Sequence, residues 1–222
     1  FVLIMFVGAV SAADNSNGLN AVGADNKNFE VEHNSVSDTL KASNSEVLGD
    51  GNTGNNWYVK AGATGGNGSE AKPYANVNQV INNANYAEND IIYIMDGTYT
   101  GSYNRDLSLK ENTTIMAYNG AYPIFNAGKQ TSIFKISSNG VVIKGLTLIN
   151  GGGTLFQTAQ GTNKWCGGAI VNSGDNLLVE NCTIRNNDPV TYGGGIYTKG
   201  NNTEIRYSTF EGCEAFALLT LL

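Results

Sequence analysis

The chain contains 222 residues, with a net charge of −6 at pH 7, one histidine and three cysteines. This length is sufficient for one sizeable domain. Residues 57–222 carry a net charge of only −1, which argues against the basic footprint that nucleic-acid-binding proteins present. No nucleic-acid partner is therefore expected.

The first residues have the pattern of an export signal. An apolar run over residues 1–10 is followed by the small residues Ser11, Ala12 and Ala13, the order of a hydrophobic segment and its cleavage site. The run is too short to cross a bilayer, and no basic segment precedes it. We interpret residues 1–13 as a signal peptide truncated at its start, which predicts a secreted or cell-surface protein. The alternative is a buried amino-terminal strand.

Residues 14–56 are rich in Asn, Ser, Gly and Asp, and their apolar residues are isolated. The segment contains seven acidic residues and only two lysines, so five of the six net negative charges lie in it. Low hydrophobicity with charge of one sign cannot offset the entropy of ordering the chain, which predicts a disordered acidic leader. The single histidine, His33, lies in it, and we predict no metal or catalytic role for it.

The folded domain is predicted to begin at residue 57. Residues 57–60 (Trp-Tyr-Val-Lys) have strand propensity, and a glycine-rich turn follows at residues 62–69. Asn76 then fits a helix N-cap, with Gln79 as its capping-box partner. The apolar face of this short helix is formed by Val77, Val80, Ile81 and Ala84. We expect the helix to lay this face over the open end of the strands that follow, which shields the first edge of the stack from self-association.

A later segment of the domain repeats against itself. Residues 168–184 return as residues 194–210 with a constant displacement of 26 residues. Residues 142–148 are an earlier copy, 36 residues before residues 178–184, which predicts a ten-residue insertion within residues 151–164. A fixed period is typical of stacked repeats, because one unit cannot bury its apolar face alone.

Aligning the copies separates inward from outward columns. Apolar residues alternate with threonine, which is the period of a half-buried strand. The inward columns are Ile143, Val179 and Ile205; Leu148, Ile184 and Phe210; and Leu146, Cys182 and Ser208. The outward columns are Thr147, Thr183 and Thr209, and the charge ladder Lys144, Glu180 and Arg206. The pattern predicts an all-β parallel β-helix over residues 57–214, and two similar hairpins in a β-sandwich are the alternative.

The cysteines indicate neither a disulfide framework nor a zinc site. Cys182 falls in an inward column and is predicted to be a small buried apolar residue. Cys166 and Cys213 are predicted to lie in loops, without CxxC spacing. Asn-X-Ser/Thr glycosylation sequons occur at Asn67, Asn112, Asn181 and Asn201.

Two parts of the domain resemble a known superfamily. The opening of secreted β-helix proteins of the pectin-lyase-like superfamily is similar to residues 57–59, 65–69, 72–74, 80–81 and 90–101. The Gly-Gly-Ala-Ile and Gly-Gly-Gly-Ile segments, with residues 181–187, resemble polymorphic outer membrane protein repeats. Together, residues 57 to about 214 resemble the adhesin-like surface proteins of methanogenic archaea. The resemblance implies a right-handed parallel β-helix, or solenoid, with a short amino-terminal capping helix.

The same superfamily contains polysaccharide lyases and hydrolases. Its lyases are expected to present calcium-binding Asp/Glu clusters and an Arg or Lys base, and hydrolases need a close set of carboxylates. Acidic residues in the repeats are isolated along the sequence, and we predict no catalytic residue, cofactor or metal site. The alternative is a calcium-dependent polysaccharide lyase whose groove uses Asp96, Glu111 or Asp175.

The sequence thus predicts an exported, non-catalytic, adhesin-like protein. Columns of Asn, Thr, Ser and Tyr with few charges suit weak, repeated contact with glycans or other cells, and a rigid stalk is the other form of this prediction. We expect a monomer without a membrane span in this sequence. Residues 215–222 break the repeat with an apolar segment too short for a transmembrane helix, which we interpret as a truncation.

Overall fold

Strands dominate the part of the chain that the structure describes. The computed structural model describes residues 54–215, so the predicted signal peptide, the leader up to residue 53 with His33, and residues 216–222 lie outside the described residues. The described helices are α1 (Val77–Ile81) and a 3₁₀ helix (Ser102–Asn104). The strands are β1 (Asn56–Val59), β2 (Ile91–Ile94), β3 (Thr98–Tyr99), β4 (Thr114–Ala117), β5 (Ile124–Asn126), β6 (Phe134–Ile136), β7 (Val142–Lys144), β8 (Thr147–Ile149), β9 (Thr154–Gln157), β10 (Asn163–Cys166), β11 (Ile170–Asn172), β12 (Leu178–Glu180), β13 (Thr183–Val190), β14 (Ile196–Thr198), β15 (Glu204–Arg206) and β16 (Thr209–Ala215).

Most strands are parallel and belong to three sheets. Sheet 1 has the order β1-β2-β4-β7-β12-β15, sheet 2 the order β3-β5-β8-β13-β16, and sheet 3 the order β6-β11-β14. Strands β9 and β10 form an antiparallel hairpin. From β4 onward the chain passes through sheets 1, 2 and 3 in turn, and we call each passage a repeat unit. The fold is all-β with stacked parallel strands, an arrangement consistent with a β-helix.

Strand register confirms the repeat. Partners displaced by 26 residues are Ile170 and Ile196, Leu178 and Glu204, and Ile184 and Phe210. Partners displaced by 36 residues are Val142 and Leu178, and Leu148 and Ile184. The hairpin of β9 and β10 begins inside the predicted insertion and accommodates the extra ten residues. Because these pairs are all parallel, the alternative of two hairpins in a β-sandwich is wrong.

The inward columns form one continuous core. Its fully buried members include Ile143, Val179, Leu148 and Ile184, and its half-buried members in the last unit are Ile205 and Phe210. Tyr99 and Phe125 stack in the same column, with ring centroids 4.9 Å apart. Burying one such side chain contributes about 1.5–3 kcal/mol. Stacking of like columns therefore stabilises each unit against the next.

Helix α1 is shorter than the sequence predicts. It ends at Ile81, and Ala84 is exposed, because Asn82 begins an Asn-Asn pair of low helix propensity. The Asn76 side chain caps the helix as predicted, accepting a hydrogen bond from Gln79 N at 3.1 Å. The Gln79 side chain accepts from the backbone N–H that precedes the N-cap residue, so the capping box is displaced by one residue.

A loop covers the free edge of β1. Tyr58 N donates to Gly68 O, Tyr74 N donates to Tyr58 O, and Lys60 N donates to Tyr74 O, each at 2.8 Å. Gly68 has a φ of +84°, and a Cβ there would lie 2.7 Å from the rings of Trp57 and Tyr74, so this approach requires glycine. Edge N–H and C=O groups need partners, and backbone provides them. Helix α1 packs Val77 and Val80 of its predicted apolar face into the core, and the loop pairs with the backbone edge of β1.

A buried carboxylate holds the first strand. Asp90 is fully buried; its Oδ1 accepts from Asn55 N at 2.6 Å, and its Oδ2 accepts from Trp57 Nε1 at 2.7 Å and Ala87 N at 2.9 Å. These donors offset the lost hydration of the carboxylate. Strand β1 begins at Asn56, one residue before the predicted start.

Replacing Asp90 with Asn should lower the free energy of unfolding by about 2–4 kcal/mol, because an amide NH2 group would face N–H donors and leave them unsatisfied. Urea unfolding followed by circular dichroism measures the loss. Glu88→Gln, which removes an exposed carboxylate two residues away, is the control and should change the value by less than about 0.5 kcal/mol. Equal effects of the two substitutions would contradict this role of Asp90.

Candidate functional site

The outward face of sheet 1 changes character along its length. One column in register consists of Tyr58, Tyr93, Met116, Lys144, Glu180 and Arg206. Its first half is aromatic and apolar, and its second half is charged. The three residues of the predicted charge ladder are thus in register, and they form the second half of a longer column.

Ion pairing within the ladder is uneven. Lys144 Nζ lies 2.8 Å from Glu180 Oε1. Arg206 forms a bidentate pair with Glu204, with both N–O distances at 2.5 Å, and this hydrogen bonding lowers the pKa of Glu204. Glu204 and Arg206 lie two residues apart on one face of β15. Arg206 therefore pairs with Glu204 on its own strand and not with Glu180 on the neighbouring strand.

Three tyrosine rings cluster on the aromatic half of the column. Tyr58 and Tyr93 stack with centroids 5.1 Å apart, and Tyr118 meets them edge-on at 5.5 and 5.6 Å. The Tyr118 hydroxyl donates to the Glu70 carboxylate, and this hydrogen bond is the main reason that the pKa of Tyr118 rises to about 12. The three rings therefore pack mainly against one another.

A groove lies where strands of sheet 1 end and strands of sheet 2 begin. Its volume is about 390 Å³, and its lining includes Met116, Tyr122, Lys144, Thr147, Asn181 and Thr183. The Tyr122 side chain is 84% exposed. Thr147 and Thr183 are in register with each other and with Thr209, as the predicted threonine column requires. The groove therefore combines an aromatic ring with hydroxyl and amide groups.

Successive repeat units place a left-handed residue at the same point of this corner. Gly145, Asn181 and Tyr207 each follow the ladder residue of their strand, with φ values of 70°, 57° and 49°. Gly and Asn tolerate this conformation. For tyrosine it is rare and costs about 1–2 kcal/mol, and burial does not compensate the cost because Tyr207 is 83% exposed. Such strain at an exposed aromatic residue marks Tyr207 as a functional candidate.

The acidic residues of the alternative lyase site lie at two corners. Asp96 lies between β2 and β3, on the groove side of sheet 1, and its Oδ1 accepts from Tyr122 N at 2.6 Å. Glu111 and Asp175 precede β4 and β12, at the other end of the sheet 1 strands. Asn139 links them, because its Nδ2 donates to Glu111 Oε1 at 3.3 Å and its Oδ1 accepts from Asp175 N at 2.9 Å. The structure thus brings Glu111 and Asp175 to one corner and leaves Asp96 apart.

A larger cavity, of about 640 Å³, lies beside Glu111 and is also lined by Glu88, Lys110 and residues 137–139. Lys110 Nζ donates to Tyr86 O at 2.5 Å and lies 5.3 Å from the centre of the Tyr86 ring. These contacts hold the ammonium group against the protein. In residues 54–215 no group of three or more His, Cys, Asp or Glu side chains is placed to hold a metal ion.

The cysteines only partly follow their predicted positions. Cys182 is buried in its inward column, as predicted. Cys166 and Cys213 lie in β10 and β16 instead of loops, because the hairpin returns Cys166 to the core side. All three are free thiols, and burial raises the pKa of Cys166 and Cys182 to about 11, which keeps them protonated at neutral pH. The exposed sequon residues are Asn67, Asn112, Asn181 and Asn201.

No protein-family model, no curated protein and no solved structure matches this chain. No helix within residues 54–215 has both the length and the apolar character needed to cross a membrane. The function therefore has to be inferred from the geometry and chemistry of the surface itself.

Two aromatic residues of this corner were not predicted as site residues. Tyr207 carried a signal in the sequence, since it occupies the position of Gly145 and Asn181 in the aligned copies. A tyrosine at a position that otherwise holds Gly or Asn departs from the usual turn chemistry. Tyr122 lies before the first aligned copy, so the repeat offered no signal for it.

Glu180→Ala should be tolerated, with a loss of ~0–1 kcal/mol in the free energy of unfolding, because its partner Lys144 is 42% exposed and the Glu180 side chain keeps 19% exposure, so water screens the pair. Ile184→Asp should instead unfold the protein, because it buries a charge without a partner. Urea unfolding followed by circular dichroism measures both effects. A loss above roughly 2 kcal/mol for Glu180→Ala would show that this column is buried or functional.

Proposed function

We propose that residues 57–214 form a right-handed parallel β-helix of the pectin-lyase-like type, with polymorphic outer membrane protein type repeats. The passage of the chain through sheets 1, 2 and 3 in each repeat unit supports this proposal. Right-handed crossovers are the general rule for parallel strands. An experimental structure in which β7, β8 and β11 wind in the left-handed sense would contradict it.

The function that the site supports best is that of an exported, adhesin-like cell-surface protein that binds glycans in the groove without catalysis. The observation that carries this proposal is Tyr207, which keeps a strained backbone and an exposed ring on the same corner, one repeat unit beyond Asn181 of the groove lining. The core gains nothing from that ring. A stacked sugar would use its face, as it would use the face of Tyr122. Export follows from the pattern of residues 1–13.

The groove chemistry fits sugar hydroxyls. Thr147 and Thr183 offer hydroxyl groups, and Asn181 offers an amide that can both donate and accept. Lys144 is paired with Glu180, so its ammonium charge is partly neutralised. Asp96 accepts a hydrogen bond from the Tyr122 backbone and positions the loop that carries this ring. These groups can bind and orient a glycan, and none of them forms an acid–base pair with another across the groove.

Tyr122→Ala and Tyr207→Gly should each weaken glycan retention by about tenfold, because each removes a ring that stacks on sugar. Tyr207→Gly should also raise the free energy of unfolding by as much as about 1 kcal/mol, because glycine relieves the left-handed strain. Glycan arrays and urea unfolding measure the two effects. Tyr103→Ala, at an exposed tyrosine of the 3₁₀ helix, is the control. Higher stability of Tyr207→Gly with unchanged retention would contradict a binding role for this ring.

The competing function is a calcium-dependent polysaccharide lyase, which the cavity beside Lys110 and Glu111 favours. Purified protein incubated with pectin or alginate and calcium is assayed by the ultraviolet absorbance of unsaturated product. We expect no turnover. Calcium-dependent turnover that Glu111→Gln or Asp175→Asn abolishes would replace the adhesin proposal. If neither turnover nor glycan retention is observed, a role as a rigid stalk is the remaining interpretation.

A further inference from the structure

The hairpin of β9 and β10 carries an exposed apolar pair. Leu155 and Trp165 lie directly opposite each other in its register, and they are 53% and 51% exposed. Gln157 and Asn163 are also opposite each other and exposed. Side chains alternate between the two faces of a strand, so these four residues share one face. We call them the hairpin patch.

The other face of the hairpin fixes it to the repeat units. Phe156 packs edge-on against Tyr197, with centroids 5.9 Å apart, and Lys199 Nζ lies 4.9 Å from the centre of the Phe156 ring. The backbone of Trp165 is held as well, because its carbonyl oxygen accepts from Thr191 N at 2.8 Å. The indole ring is therefore presented from an anchored strand.

The fold itself does not use the polar groups of the hairpin patch. Among residues 54–215, the Trp165 indole N–H and the side-chain amides of Gln157 and Asn163 have no hydrogen-bond partner. The pairing of β9 with β10 does not require an apolar residue at either of these exposed positions. An exposed Trp beside an exposed Leu leaves apolar surface in contact with water. An anchored aromatic face with unpaired donors and acceptors around it is chemistry suited to a ligand.

We propose that the hairpin patch is a second carbohydrate site, which takes a neutral pyranose ring. The apolar face of the sugar stacks on the Trp165 indole beside Leu155, and the sugar hydroxyls bond to the two amides and the indole N–H. The four side chains include no charged group, and the nearby Lys199 ammonium is held on the other face by Gln157 O at 3.2 Å and the Phe156 ring, which favours a neutral sugar over a uronic acid. This inference rests on the proposed function for its class of ligand, and it uses none of the groove residues.

The size of the patch argues against a protein partner. Each side of a stable protein–protein interface buries about 800 Å² from roughly 20–30 residues. The hairpin patch has two apolar and two amide side chains on a two-stranded hairpin. One or two sugar rings match this extent, whereas a second copy of the chain would need a much larger apolar surface.

Tryptophan fluorescence tests the proposal, because the chain contains two tryptophans and the other one, Trp57, is only 7% exposed. The full chain is titrated with cellohexaose, N-acetylchitohexaose and hexagalacturonate. A neutral probe should shift the emission to shorter wavelength and protect Trp165 from acrylamide quenching, whereas hexagalacturonate should do neither.

Calorimetry with the same probes compares the variants. Trp165→Ala should bind the neutral probe about tenfold more weakly, and Trp165→Tyr should recover part of this loss because it keeps an aromatic face. Tyr103→Ala is the matched control and should bind like the original chain. Circular dichroism establishes that each variant is folded.

Unchanged affinity of Trp165→Ala, or no binding of any neutral probe, would overturn the hairpin site. If the hairpin site fails in this way and glycan binding depends on Tyr122 and Tyr207, the groove proposal stands without the hairpin site. If only the Trp165 variants lose binding, the hairpin site stands and the groove is wrong. Protection of Trp165 that rises with protein concentration in the absence of sugar would assign the patch to a second copy and overturn the proposal.

Discussion

The hydrogen-bonded register between successive repeat units is the constraint on which the rest of the structure depends. A shift of one residue would exchange inward and outward side chains along a whole strand. Val179 and Ile184 are buried only in the observed register. The same register brings Thr147 beside Thr183 and places Asn181 and Tyr207 at one corner. Core and surface are therefore specified by a single set of backbone contacts.

Periodicity predicted the fold where copies of the repeat can be aligned. Offsets of 26 and 36 residues identified the strand partners within residues 142–210, and the observed pairs agree with them. Prediction was less complete at the first strand, which has no earlier copy. The edge of β1 is closed by a loop through Gly68, and that closure depends on the path of the loop. A non-periodic path leaves no signal in the spacing of apolar residues.

The candidate site could be predicted only in outline. Polar outward columns follow from alternation, so the threonine column and the charge ladder lie where the repeat requires. Tyr122 and Trp165 belong to segments without an aligned copy, and Arg206 pairs with Glu204 because a partner on its own strand lies within reach. Whether Asp96 shares a corner with Glu111 depends on the order of the sheets. Residue pattern thus indicates the kind of surface, and topology decides which side chains meet.

Ladders of all three sheets join the repeat units as far as β14, and those of sheets 1 and 2 continue to β15 and β16, which has a mechanical consequence. Strands of one unit are connected by short turns, such as the two residues between β12 and β13. Tension applied along the stack therefore loads the ladders of all three sheets together, and one strand cannot peel away while its own unit stays attached elsewhere. Rupture should release whole units, each freeing 26 to 36 residues, or roughly 90–120 Å of extended chain. A protein built in this way resists pulling and extends in steps when it yields.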